Sequence, residues 1–124
     1  MTYLKNKYFT RWARGQRISD AVLCKIVREF ENGLFEASLG NHLFKKRIAL
    51  AGKGKSGGGR TILFYQEGKK LIFCLGFNKN QQDNLDPLEI KLLNKMSDVY
   101  QHLTDDDIIK NIRYQELALI AGME

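Results

Sequence analysis

A chain of 124 residues, 44% hydrophobic and 27% charged, has the size and make-up of one folded domain, which excludes a wholly disordered or fibrous protein and leaves no room for a second core. We read residues 1–124 as a single domain. The formal net charge is +6, and no window approaches the ~20 apolar residues that a membrane span needs, so a cytoplasmic protein without membrane association is expected.

Ser19 followed by Asp20 predicts a helix start, because the serine oxygen can accept an orphan backbone N–H and the aspartate suits the positive helix end. Val22, Leu23, Ile26, Val27 and Phe30 then recur at helical spacing, and Gly33 supplies a stop. A shorter turn or helix is expected over residues 34–39, ending at Gly40-Asn41. From Phe44 the period changes to two, with Phe44, Ile48 and Leu50 on one face and Lys45, Arg47 and Ala49 on the other. Lys46 falls on the apolar side of that alternation, so either the strand bulges there or the lysine snorkels at a sheet edge.

Residues 60–65 and 71–77 read as two more strands, joined through Glu67-Gly68 as a tight hairpin, so three neighbouring antiparallel strands are expected. Asp86-Pro87-Leu88-Glu89 combines a capping aspartate, a proline at the first helical position and a glutamate that reaches back. The helix it opens should bury Leu92, Met96, Val99 and Leu103. Thr104 before Asp105, Asp106 and Asp107 predicts a last cap, with a helix from about Ile108. Cys24 and Cys74, without a CxxC or Cys/His ladder, read as buried free thiols.

The charge is unevenly placed. Residues 1–60 carry 13 Lys/Arg against 4 Asp/Glu, and the remainder 7 against 10. No acid occurs between Glu36 and Glu67, while Lys45, Lys46, Arg47, Lys53, Lys55 and Arg60 all fall there. A charge run can be no more than a solvated surface, but clustering without interspersed acids favours an anionic partner. The run Gly52-Lys53-Gly54-Lys55-Ser56-Gly57-Gly58-Gly59 invites comparison with a nucleotide-binding P-loop, with Ala49 where the first glycine would stand. A P-loop must run into a helix, whereas Thr61 and Ile62 lead into a strand, so no nucleotide cofactor is expected. What remains is a cationic hairpin suited to gripping a phosphate backbone.

Lys45-Lys46-Arg47 followed by residues 52–60, of the form GxGKSGGxR, resembles the RelE-like branch of the RelE/ParE toxin superfamily. Flanking matches are Arg11-Trp12-Ala13-Arg14, Ser19-Asp20, Gly33-Leu34, Leu39-Gly40 and Gly76-Phe77-Asn78-Lys79-Asn80. The resemblance implies an α+β fold, a small antiparallel sheet of three to four strands packed against N-terminal and C-terminal helices. It also implies a cognate antitoxin as partner, and messenger RNA on the ribosome as substrate, since the better-known RelE members cut RNA in the decoding site. ParE members poison DNA gyrase on the same scaffold, and a non-catalytic RNA-binding or ribosome-binding module is a further alternative.

Cutting RNA through its own 2′-OH needs a proton acceptor, a proton donor and positive charge around the phosphate. The resemblance assigns Arg60 to the transition-state phosphate, Lys55 or Lys53 to proton transfer, and Arg47 with Lys45 to orienting the backbone. Lys46, Lys79 and Asn80 complete the expected RNA contacts. Three features depart from the pattern: Gly59 stands where relatives often have an aromatic, Ala49 where well-studied members carry a lysine, and nothing after Lys79 supplies their late tyrosine. His42 is the substitute acid or base nearest the basic strand, and His102 reads as structural or exposed. No metal is expected, because the histidines and carboxylates lack ligand spacing.

Overall fold

A computed structural model of the chain describes residues 1–50, 58–79 and 84–124. In chain order its elements are β1 (Thr2–Asn6), α1 (Lys7–Gly15), α2 (Asp20–Glu31), β2 (Ala37–Gly40), β3 (Leu43–Ile48), β4 (Gly59–Gln66), β5 (Lys70–Asn78), α3 (Pro87–Tyr100), α4 (Asp105–Arg113) and β6 (Leu117–Leu119). The fold is α+β as expected. The sheet, however, has six strands in the order β2-β3-β4-β5-β1-β6, and not three to four. It is also mixed, because β1 pairs parallel with β5 while every other pair is antiparallel.

The three added strands lie outside the central meander. Asn6 closes β1 and, in extended conformation, caps α1 by accepting from the Phe9 N–H, so one residue ends a strand and starts a helix. Residues 34–39 hold no helix: β2 occupies Ala37–Gly40 and pairs with β3 through a turn in which Gly40, Asn41 and His42 all have positive φ. The expected hairpin joins β4 to β5, with Gly68 at φ +75° and the Lys69 N–H donating to the Gln66 carbonyl.

Where chain length suggested a single core, the sheet divides the buried apolar residues into two clusters, one on each face. Against one face α1 and α2 place Phe9, Leu23, Ile26, Val27 and Phe30 on Ile48, Leu63, Leu71 and Phe73. Against the other, α3 and α4 place Leu93 and Ile108 on Leu43, Ile62, Phe64, Ile72 and Phe77. Both predicted caps form as reciprocal capping boxes, Asp86 with Glu89 and Thr104 with Asp107, and α4 begins at Asp105.

The buried stripe of α3 differs from expectation. Leu93 and Ser97 are the buried positions, while Leu92 and Val99 are exposed and Met96 and Leu103 are partly covered. Ser97 faces inward because its hydroxyl donates to the Asn41 carbonyl at 2.5 Å, tying α3 to the β2–β3 turn. A hydrophobic pattern cannot anticipate a buried serine. Cys24 and Cys74 are both buried and free. Among the described residues no helix is long and apolar enough to cross a membrane.

Candidate functional site

Strands β3 and β4 run in unbroken register from Leu43↔Phe64 to Ile48↔Gly59, which sets Arg47 directly opposite Arg60 and Lys45 opposite Ile62. Residues opposite one another share a face, so Lys45, Arg47 and Arg60 stand together on the α3 side. Like charges across a strand pair repel. Here Glu36, immediately before β2 and fixed by its N–H on the Lys45 carbonyl at 2.7 Å, brings its carboxylate to all three.

Arg60 Nε donates to both Glu36 oxygens, at 3.2 and 3.1 Å. Arg47 Nε lies 3.4 Å from Oε2 and Lys45 Nζ 3.3 Å from Oε1. Partial burial opposes ionisation of Glu36, but the Lys45 hydrogen bond and the charges of Arg60 and Lys45 outweigh it and hold the carboxyl below its ordinary range. The three cations differ in access: the side chains of Arg60, Lys45 and Arg47 are 2%, 16% and 58% exposed. Arg60 Nη1 also donates to the Gly59 carbonyl at 3.0 Å.

Lys46 does not join this group. No bulge interrupts β3 against β4, so alternation turns Lys46 to the α2 side. There it is 5% exposed and reaches Glu29 of α2 at 3.1 Å. Lys79 follows β5 and is half-buried, its N–H on the Gly58 carbonyl, at the same end of the sheet as Arg60. Lys53, Lys55 and Asn80 lie outside the described residues. His42 stands at the opposite end of β3, its ring 5.7 Å from that of Phe64, about 16 Å along the strand from Arg47 at the usual rise per residue.

The glycine before Arg60 has a local reason. A Cβ at Gly59 would lie 3.1 Å from the Trp12 ring, and one at Gly76 only 2.0 Å from it. Trp12 lies across both backbones and donates its indole N–H to Asn78 Oδ1 at 2.8 Å. Any side chain at position 59 would press on Trp12, and at position 76 it would require the indole to move. Sequence reasoning missed Glu36, which it used only as the border of the acid-free stretch. A lone carboxylate just ahead of such a stretch was the available signal.

The α+β sheet thus gathers three strand-borne cations on one face, around a single carboxylate among the described residues. A family model for the RelE toxin of the RelE/RelB toxin–antitoxin system matches residues 1–120, and the chain belongs to that family. Membership makes it the toxin half of a pair and implies an antitoxin partner. No curated protein sequence matches the chain.

Proposed function

We propose that the chain is a ribosome-dependent messenger-RNA endoribonuclease of the cytoplasm, inhibited by its antitoxin, and that the Arg60, Arg47 and Lys45 cluster holds the scissile phosphate. The observation that carries this reading is the three-to-one ratio of cations to carboxylate around Glu36 among the described residues. A site with that surplus has room for a second anion, and guanidinium groups match phosphate oxygens in pairs.

In the reaction the 2′-oxygen attacks the neighbouring phosphorus and the 5′-oxygen leaves, with negative charge growing on the phosphate between them. Arg60 and Arg47 stabilise that charge. Since Arg60 is 2% exposed, the phosphate reaches it by displacing Glu36. A carboxylate held below its ordinary pKa stays charged and is a weak proton acceptor. Proton transfer therefore falls to Lys53 or Lys55, the residues the motif supplies, with Lys79 and Asn80 as further backbone contacts.

The test adds wild type and Arg60→Ala to a translating extract and to the same messenger RNA without ribosomes, and maps new ends by primer extension. Ribosome-dependent cuts made by wild type alone support the assignment; cutting retained by Arg60→Ala overturns it. The burial of Arg60 favours one second reading, a chain that occupies the ribosome without cutting. Blocked translation with no new ends selects that reading, and DNA cleavage complexes in a supercoiling assay select gyrase poisoning.

A further inference from the structure

Beside the three cations an apolar cleft of about 260 Å³ opens between the β2–β3 hairpin and the first half of α3. Leu43 and Leu93, 2% and 1% exposed, form its floor. Leu39 and Ile90 stand as facing walls, 43% and 47% exposed. Among the described residues the polar groups on its lining are Lys45, Asn84 and Asn94. We propose that this cleft is a nucleobase subsite, which takes one unstacked base of the RNA whose phosphate displaces Glu36; the proposal rests on RNA being the substrate of that cluster.

Continuity with the phosphate site carries the inference. The Lys45 ammonium belongs to both places, 3.3 Å from Glu36 Oε1 and 3.5 Å from Asn84 Oδ1. A phosphate on Arg60 and Arg47 thus leaves the sugar and base of its own nucleotide at the mouth of the cleft. The lining suits a flat ring with polar edges: aliphatic side chains cover the faces while amides meet the rim. Asn94 uses one amide N–H on the Ile90 carbonyl and accepts from Asn41 Nδ2, each at 3.0 Å, and so keeps a second N–H and a lone pair for a base edge. Among the described residues no acid lines the cleft.

The cleft is also preformed. Asn41 donates to Asn94 Oδ1 and to Asp98 Oδ1 at 3.2 Å, and Ser97 donates to the Asn41 carbonyl, so the hairpin carrying Leu39 is fixed to the helix carrying Ile90. A base entering it orders little of the protein, which favours binding.

The test measures equilibrium binding of 2′-O-methyl pentaribonucleotides, each lacking the base at one position, to wild type, Ile90→Ser and Asn84→Ala. Removing one particular base is expected to weaken wild-type binding about tenfold, the scale of burying the apolar surface of about two methylene groups. In Ile90→Ser the same removal should cost no more than about threefold, because the wall it loses is the one the base covers. Asn84→Ala should change which base is preferred at that position. The abasic series on wild type needs no variant to fold.

Equal cost of base removal in wild type and both variants overturns the subsite, as does a series in which no position matters or a wild type that binds no pentamer. So does loss of neutralisation by the antitoxin with RNA binding unchanged, which would give the cleft to a protein partner. Cutting on ribosomes is scored separately. Base-dependent binding without cutting sinks the nuclease reading and supports the subsite; cutting with base-independent binding does the reverse.

Discussion

On the α1/α2 face of the sheet one buried lysine, Lys46, meets one carboxylate, Glu29, whereas on the α3/α4 face Lys45, Arg47 and Arg60 share, among the described residues, the one carboxylate of Glu36. Neighbouring residues of a single strand, Lys45-Lys46-Arg47, feed both arrangements. The one-to-one pair is complete and holds α2 against β3. The three-to-one cluster carries net positive charge at a partly closed position, a condition that another anion relieves. Contiguity in a basic motif is therefore a poor guide to shared function on a strand, because alternation sends every second residue to the other side.

The largest effect should come from emptying the cluster's centre. Arg60→Ala is expected to lower ribosome-dependent cutting about 10²- to 10³-fold, as loss of a donor to developing phosphate charge does, read by primer extension. Next, Gly76→Ala attacks the other face. Its Cβ would sit 2.0 Å from the Trp12 ring, so denaturant unfolding should show a loss of about 3 kcal/mol, while the protein that remains folded still binds RNA.

Glu36→Gln sharpens the comparison by removing the cluster's own anion. Oligoribonucleotide binding should tighten about tenfold, since substrate no longer competes with an internal carboxylate. The same change alters the pH dependence of stability. Glu36 has a folded pKa below its ordinary value of 4.5, so the unfolded chain takes up its proton first as pH falls. Its contribution is complete above that value and is lost as pH drops through the folded pKa. Wild type should accordingly lose stability more steeply than Glu36→Gln as pH falls below about 5; parallel curves would remove Glu36 from the account. The smallest effect is expected from Lys46→Met. The Glu29 side chain it leaves behind is 38% exposed and can turn to water, so the cost should stay within about 1 kcal/mol, and cutting should be unchanged. A marked loss of RNA binding by this variant would return Lys46 to the site.

Much of this was legible locally. Ser19, the Asp86 and Thr104 capping boxes and the β4–β5 turn at Gly68 all announce themselves within four residues. β1 and β6 do not, because β1 pairs parallel with a strand some 68 positions away, Thr2 with Lys70, and β6 closes on β1 from the far end of the sequence. The cations of the cluster stood out as a run without acids. Glu36 did not, since only the pairing of Ala37 with Lys45 brings it alongside. Ser97 and Trp12 were hidden for the same reason, each defined by a partner far along the chain.

The closing of β6 on β1 bears on when the protein can become complete during its own synthesis. Leu4 pairs with Leu119 and Asn6 with Leu117, so the edge of β1 stays open until nearly all the described chain has left the ribosome. The β3–β4–β5 meander, built from near neighbours, needs no such wait. The strands that carry the three cations can thus assemble on a nascent chain while β1 is still seeking the segment that covers it.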